Sequence, residues 1–220
     1  MPNIAYLNGE FLSLEEAVVS IEDRGFQFGD GVYEVIRAYN GILFRLEEHL
    51  SRLERSAREI SLFFSTKQKD WKSLIREGLE RSTYANCKVY IQVTRGVAPR
   101  DHLFPEASHP TIIVTFCEMT DLPGGYFQQG VSVITRPDLR WARCSIKSLN
   151  LLPNVLAKQE ANEVGSFEAI LIKDGTVTEG TSSNVVLVKG GKLVTPSLSC
   201  LLYTSPSPRD LSTSRMPSSA

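Results

Sequence analysis

Lys147 raises the first chemical question, because it lies among apolar neighbours in the stretch CSIKSLNLLPN, just ahead of a predicted helix. A lysine ammonium is strongly hydrated, so the ordinary interpretation is a solvated side chain on a strand that leads into a loop. If the side chain instead lies in a pocket, desolvation lets the amine lose its proton more easily and act as a nucleophile. The local sequence leaves both interpretations open.

Glu179 lies at the end of a predicted strand in TVTEGTSSN, directly before a glycine and several small hydroxyl residues. In one interpretation the segment is a turn in which Ser182, Ser183 and Asn184 hydrogen-bond the local backbone. In the other, a buried carboxylate pairs with the ring nitrogen of a ligand. Taken alone, neither Lys147 nor Glu179 is strong evidence for a site.

Arg100 and His102 lie two residues apart in the loop TRGVAPRDHLFPE, between Pro99 and Pro105. The loop could be an exposed connection whose charges have no special role. It could also be an anion clamp, because a guanidinium fork matches a carboxylate in a bidentate manner and an imidazole adds a further donor.

Three closely spaced glycines with aromatic residues among them mark EDRGFQFGDGVYEV, residues 22–35. The segment is not a phosphate-binding P-loop, since no Gly-Lys-Ser or Gly-Lys-Thr follows, and no strand precedes it as a dinucleotide-binding fingerprint requires. It is therefore predicted to be a turn that leads into a strand.

The elements that must position these residues are two hairpins, three helices and several strands. Asn-Gly pairs at 8–9 and 40–41 are signals for type I′ turns. Apolar residues at 3–4 spacing predict a helix over 45–60, with Arg52 and Arg55 outside its apolar stripe and His49 on the helix face. The other predicted elements are helices over 67–82, capped by Asp70, and 153–164, between Pro153 and Gly165, and strands over 88–96 and 111–119.

The turn-rich segment TDLPGG, residues 120–125, is the predicted linker between two domains. Residues 1–119 are predicted to form a small α/β N-terminal domain, and residues 126–199 the start of a larger, β-rich domain that is incomplete. The predicted chain contains both helices and strands, and we place its fold in the α+β class.

The last residues, 200–220, change character, because Ser, Pro and Thr replace the hydrophobic alternation. Their composition is that of a disordered tail. The stretch CLLYTSPSPRD also looks like the translation of a sequencing adapter, so the tail is expected to be non-native. We therefore expect the natural protein to continue past Ser199 with other residues.

Composition excludes several classes of protein. The chain has 220 residues, is 42% hydrophobic and 22% charged, and carries a formal net charge of -1, which gives no footprint for nucleic acid. No apolar run approaches the about 20 residues that span a bilayer, and the N-terminus lacks the pattern of a secretory signal. The four cysteines form no metal-binding motif, so reduced thiols, no metal and a cytoplasmic location are expected.

Four motifs together resemble one family. RGFQFGDGVYEV, TRGVAPRDHLFP, IKSLNLLPNVLAKQEA and TVTEGTSSNV occur in the order and spacing of fold-type IV pyridoxal-phosphate aminotransferases. The resemblance covers most of residues 1–199. Within that family the Arg-x-His loop is similar to that of the D-amino-acid (D-alanine) aminotransferases.

The resemblance implies pyridoxal 5′-phosphate as cofactor and a role for each matching residue around it. Lys147 would form the internal Schiff base and move the substrate's α-proton, as base and then as acid. Glu179 would keep the pyridine nitrogen protonated, and Arg52 would contact the phosphate. Ser182, Ser183 and Asn184 match a backbone-rich loop beside the cofactor.

The resemblance also implies a substrate and an assembly. Tyr33, Arg100 and His102 match residues that hold the substrate carboxylate, and the last two arrive from the neighbouring subunit in relatives, so a homodimer is expected. The expected reaction moves the amino group of a D-amino acid, with D-alanine as the expected donor, to 2-oxoglutarate. The alternatives are a branched-chain L-amino-acid aminotransferase or aminodeoxychorismate lyase of the same fold, and a truncated fragment or binding module without activity.

Overall fold

The structure is a computed structural model that describes residues 3–64, 70–107, 109–120 and 122–196, so the tail at 200–220 lies outside the described residues. The chain divides into two compact units. The first consists of residues 1–121 with 146–149, and the second of residues 122–145 with those from 150 onward. The domain boundaries placed at 120–125 stay a prediction, and the structure adds that 146–149 belong with the first unit.

One antiparallel sheet forms the frame of the first unit. Its strands within the described residues are β1 (Ile4–Leu7), β2 (Glu10–Ser13), β3 (Gly31–Tyr39), β4 (Ile42–Leu43), β5 (Cys87–Thr94) and β6 (Thr111–Glu118). They run in the order β2-β1-β6-β5-β3-β4. Alternate residues such as Val32 and Ile36 on β3 and Val89 and Ile91 on β5 are fully buried, because successive side chains of a strand point to opposite faces.

Both predicted hairpins are confirmed. Asn8 (φ 49°) and Gly9 (φ 129°) join β1 to β2, and Asn40 (φ 48°) and Gly41 (φ 76°) join β3 to β4. A two-residue connection that follows the natural twist of the strands needs positive φ at both central residues. Asn and Gly adopt that conformation at the lowest cost, so these pairs fix the register of both hairpins.

Two helices, α2 (Leu46–Glu59) and α3 (Trp71–Ser82), confirm the helices predicted over 45–60 and, in its described part, over 67–82. Asp70 caps α3 as predicted, since its Oδ1 accepts hydrogen bonds from the backbone N of Lys72 (3.0 Å) and Ser73 (3.2 Å). The apolar face of each helix joins the core, with Leu53 on α2 and Ile75 on α3 almost fully buried. Each such side chain contributes about 1.5–3 kcal/mol by leaving water.

The segment over 22–35 differs from its prediction, because Arg24–Phe28 form a short helix, α1, before β3 begins. Asp23 caps it by accepting from the backbone N of Gly25 at 2.8 Å. Position 25 requires glycine, because a Cβ there would lie only 2.3 Å from the Cγ2 methyl of Thr94. Five residues are too few for a 3.6-residue period to appear, which is why the sequence pattern indicated only a turn.

Residues 146–149 add a short strand-like segment at the beginning of β3, whereas β4 pairs at the other end of that strand. The backbone N of Tyr33 donates to the O of Lys147 at 3.0 Å, and the N of Leu149 donates to the O of Gly31 at 3.1 Å. These two bonds fix where the Lys147 backbone lies relative to the sheet.

The second unit contains a smaller sheet and a helix. Its elements within the described residues are α4 (Gly125–Gln129), β7 (Val133–Pro137), α5 (Leu152–Glu163), β8 (Glu168–Lys173), β9 (Thr176–Gly180), β10 (Leu187–Lys189) and β11 (Lys192–Val194). Strand β8 pairs parallel with β7 and antiparallel with β9, and β10 pairs with β11. Helix α5 makes the crossover that a parallel pair requires, and it confirms the helix predicted over 153–164.

Candidate active site

Lys147 is 5% exposed. Of the two interpretations of its sequence, a solvated lysine and a lysine shielded from water, the structure agrees with the second. Its Nζ lies 4.0 Å from the centre of the Tyr33 ring, and its backbone N donates to Ser56 Oγ at 3.2 Å. An ammonium over an aromatic face is attracted by the ring quadrupole. The structure therefore brings together two of the predicted site residues, one nucleophilic and one aromatic.

Arg52 lies in a buried ion cluster that the sequence did not predict. Its Nη2 donates to Glu34 Oε2 at 2.6 Å, and its Nε donates to Glu34 Oε1. His49 Nδ1 lies 2.8 Å from the same Oε2. Arg52 and His49 are 5% and 7% exposed and both face Glu34, a burial that their predicted positions on α2 did not specify.

The electrostatics of the cluster favour an ionised Glu34. Burial alone would raise its pKa, but hydrogen bonds from Arg52 and His49, with the charges of Arg52 and Lys147, outweigh burial and hold the pKa below its usual value. The carboxylate therefore fixes the direction of the Arg52 guanidinium, which a charge-assisted contact to a phosphate requires.

Two sequence signals could have revealed the cluster. Glu34 occupies a position of β3 whose neighbours two residues away, Val32 and Ile36, face the core, so its carboxylate had to be buried and paired. His49, Arg52 and Ser56 follow the 3–4 spacing of a helix face beside the apolar stripe of α2.

We expect Glu34→Gln to lower the free energy of unfolding by about 3 kcal/mol, because it leaves a buried guanidinium without its counter-charge. Urea denaturation at neutral pH measures this. Since the folded pKa of Glu34 lies below its usual value of 4.5, its stabilisation is complete above that pH and disappears as the pH falls through the folded value. The variant should therefore lose less stability on acidification than the wild type.

The control for this variant is Glu47→Gln, which removes an exposed ion pair with Lys72. Exposed pairs contribute below about 1 kcal/mol, so this substitution should change stability little. A Glu34→Gln protein as stable as the Glu47→Gln protein would show that the buried cluster does not stabilise the fold.

Arg100 and His102 lie together on the loop that precedes β6. Both are exposed, and both contact the ring of Phe28. The guanidinium of Arg100 also donates to the backbone O of Gln27 at 3.3 Å. The pair predicted to form a clamp is therefore presented at the surface of the first unit, with its donors accessible.

Glu179, at the end of β9, is 2% exposed and lies in a second buried ion cluster, within the second unit. Its Oε1 accepts from Arg140 Nη1, and Arg140 binds Asp138 in a bidentate manner, Nη2 to Oδ2 at 2.6 Å and Nε to Oδ1 at 2.9 Å. Burial alone would raise the pKa of Asp138, but hydrogen bonds from Arg140 and Thr178 hold that pKa below its usual range. The cluster therefore places two carboxylates around the Arg140 guanidinium.

The predicted loop that contains Ser182, Ser183 and Asn184 is held by Glu168, which the sequence did not indicate. Glu168 Oε2 accepts from Ser182 Oγ at 3.2 Å and from Ser183 Oγ at 3.0 Å, and Oε1 accepts from Thr181 Oγ1. The two serine hydroxyls thus donate to a carboxylate of the chain itself. A ligand beside this loop would therefore meet backbone N–H groups more readily than free serine hydroxyls. Asn184 Oδ1 is buried with no hydrogen-bond partner within the described residues.

These residues fit pyridoxal phosphate by their chemistry. The first unit holds a buried amine, that of Lys147, and a charged arginine, Arg52. The second unit holds the buried carboxylate of Glu179 and the buried amide oxygen of Asn184, which accepts no hydrogen bond from the residues that the structure describes and is open to a donor on a ligand. The individual roles of these residues stay predictions.

Two other kinds of site are not seen in the part of the chain that the structure describes. None of its helices is both long and apolar enough to cross a bilayer. Within the same residues, His, Cys, Asp and Glu side chains form no group of three or more that could hold a metal ion.

Comparison with known proteins agrees with this chemistry. The family described as amino-transferase class IV matches residues 31–204. A D-alanine aminotransferase of Bacillus licheniformis is 49% identical over 195 residues, which are 89% of this chain and 69% of that protein. The chain thus spans about two thirds of this curated relative.

Solved structures share the fold. A branched-chain aminotransferase from Thermoproteus uzoniensis, with norvaline, superposes with a TM-score of 0.82 at 23% identity, over 96% of this chain and 73% of its own. A hypothetical aminotransferase from Mycobacterium tuberculosis in a PLP-bound form gives a TM-score of 0.74 at 25% identity, over 89% and 71%. The first of these, at its level of identity, informs the fold alone.

Proposed function

The chain belongs to the class IV aminotransferase family. From that premise we propose that it transfers the amino group of a D-amino acid, D-alanine, to 2-oxoglutarate. The α+β, fold-type IV architecture and the pyridoxal-phosphate-dependent class of enzyme expected from the sequence are confirmed. The observation that carries the proposal is the Lys147 amine, which is buried against Tyr33.

Each site residue has a proposed task. When bound, pyridoxal phosphate supplies an electron sink for the carbanion of the substrate. Lys147 would hold the cofactor through its amine, and the same amine would take the α-proton of the substrate and return it. Glu179 would provide the negative charge that keeps the ring nitrogen of the cofactor protonated, and Arg52, oriented by Glu34, would contact its phosphate.

Tyr33, Arg100 and His102 are proposed to hold the substrate carboxylate. A fixed carboxylate and a fixed amine at Lys147 together select one enantiomer, since only one hand presents its α-hydrogen to the amine.

We further propose a homodimer, because Arg100 and His102 are exposed on their own chain and would need a second surface to become a desolvated clamp. Val97 and Leu103, on the same loop, are 54% and 76% exposed, as expected for apolar residues that a partner covers. A cytoplasmic location is proposed from the free thiols of Cys87, Cys117 and Cys144.

Arg100→Ala tests the substrate assignment in the full-length protein. We expect the KM for D-alanine and for 2-oxoglutarate to rise about 30-fold, about 2 kcal/mol, because a desolvated charge pair with the carboxylate is lost. The kcat should change less, since Arg100 does not touch the reacting atoms. Arg76→Ala, which removes an exposed arginine of α3, is the control and should leave both constants unchanged.

An Arg100→Ala protein with an unchanged KM for D-alanine would remove Arg100 from the proposed carboxylate clamp. The substrate assignment itself is tested by steady-state assays of the wild-type protein with D-alanine and with L-leucine, and turnover of L-leucine alone would show an L-branched-chain aminotransferase instead.

A further inference from the structure

The motif RGFQFGD, residues 24–30, has no task in the proposed reaction, yet several hydrogen bonds and ion pairs fix its conformation. Its first five residues form α1, and Gly29 closes the helix in the left-handed conformation at φ 66°. Asp30 then enters a network with Arg24 and Arg95 before β3 begins.

Phe28, at the end of α1, is a half-buried ring that three polar side chains contact. The Arg100 guanidinium carbon lies 4.6 Å from the ring centre, and the His102 ring centre lies 5.5 Å away at an interplanar angle of 45°. The guanidinium carbon of Arg24 lies 4.8 Å from the same ring. Both residues of the proposed carboxylate clamp therefore share one aromatic support.

Arg24 anchors this support to the clamp loop. It is 3% exposed, and its Nε donates to Asp30 Oδ2 at 2.8 Å while its Nη1 donates to the backbone O of Asp101 at 2.6 Å. Asp101 lies between the two clamp residues, so this bond fixes the backbone from which both side chains extend.

Arg95 secures the other side of Asp30. Its Nε and Nη2 donate to the two carboxylate oxygens at 2.8 and 3.0 Å, and its guanidinium also donates to the backbone O of Ile60 (2.7 Å) and Ser61 (3.0 Å), after α2. The loop is thus tied through Arg24 and Asp30 to the rigid part of the unit.

We propose that Phe28 is a positioning residue for substrate specificity, which orients Arg100 and His102 toward a carboxylate. A cation that lies over a ring uses its planar face, while the N–H donors lie in its plane and stay directed outward. The ring therefore restricts the rotamers of both side chains without using a donor. This inference rests on the proposed function, because it requires Arg100 and His102 to bind a carboxylate.

The test compares Phe28→Leu and Phe28→Met with Phe28→Tyr in the full-length protein loaded with pyridoxal phosphate. Loss of the aromatic face should raise the KM for D-alanine about 5- to 20-fold, the range of a partly desolvated cation–π contact, with kcat within about twofold. Phe28→Tyr keeps a ring and should retain the wild-type KM. The matched control is Phe26→Leu on the same helix, since Phe26 is 75% exposed.

A second measurement uses succinate, an unreactive dicarboxylate, whose Kd is determined by calorimetry. The Kd of succinate should rise in the Phe28→Leu and Phe28→Met variants by about the same factor as the KM for D-alanine. An unchanged KM and Kd in both variants, or an equal loss in Phe28→Tyr, overturns the inference.

The double variant Phe28→Leu/Arg100→Ala separates this inference from the proposed function. If Phe28 acts through Arg100, the double variant binds succinate within about twofold of Arg100→Ala alone, because coupled residues are not additive. Full additivity overturns the role of Phe28 but leaves the clamp in place. No effect of Arg100→Ala alone overturns the proposed clamp itself.

Discussion

Lys147→Ala is expected to abolish transamination, with kcat falling by at least about 10³-fold. The substitution removes both the covalent anchor of the cofactor and the amine that transfers the α-proton, and proton transfer by a positioned group alone contributes about 10²–10⁴-fold. The structure supports both tasks, because the Lys147 side chain is buried, its amine lies against Tyr33 and its backbone is hydrogen-bonded to β3. Steady-state assay with D-alanine and 2-oxoglutarate measures the loss.

Lys147→Arg separates chemistry from electrostatics. Arginine keeps the positive charge near Glu34 and can still lie over Tyr33, but its guanidinium does not lose a proton at working pH and is not a nucleophile. It should therefore be as inactive as the alanine variant. Lys72→Ala, which removes an exposed lysine of α3, should keep full activity. A Lys147→Arg protein with more than about a tenth of wild-type turnover would contradict the assigned chemistry.

Glu179→Gln has the second largest expected effect, a fall in kcat of about 10²–10³-fold, the usual loss when one preorganised electrostatic group is removed. Glutamine has the same shape, but it cannot supply the negative charge that keeps a ring nitrogen protonated. In the wild type that charge lies beside Arg140, whose second partner is Asp138. The variant removes one negative charge from this cluster.

Glu160→Gln is the matched control, because Glu160 forms a partly exposed ion pair with Arg136 in the same unit. It should retain wild-type kcat. Cofactor content and thermal midpoint are measured for both variants, so that a loss of folding is distinguished from a loss of catalysis. Glu179→Gln protein that is folded, loaded and fully active would remove Glu179 from the reaction.

Much of the fold could be predicted because its signals are local. The Asn-Gly pairs specify their hairpins through two backbone angles, and Asp70 specifies the start of α3 through its own side chain. The short helix α1 was missed because its cap, Asp23, and the close approach of Gly25 to Thr94 depend on a distant strand.

The site residues could be located in sequence only through the resemblance, and which residues pair with them could not be predicted. Glu34 and Arg52 are 18 residues apart, and Glu179 and Arg140 are 39 apart. Such pairs form when separate elements pack, and single-sequence periodicity contains no information about which elements meet. Two signals were present in advance, the position of Glu34 on the inward-facing side of β3 and the 3–4 spacing of His49, Arg52 and Ser56 on α2.

The most direct test of the central claim is to locate the cofactor's covalent bond. The full-length protein is loaded with pyridoxal phosphate, reduced with borohydride, digested and analysed by peptide mass spectrometry. We predict a phosphopyridoxyl group on Lys147 in the peptide that contains SIKSLN. An unlabelled Lys147, with the group on another lysine or on none, would contradict the account.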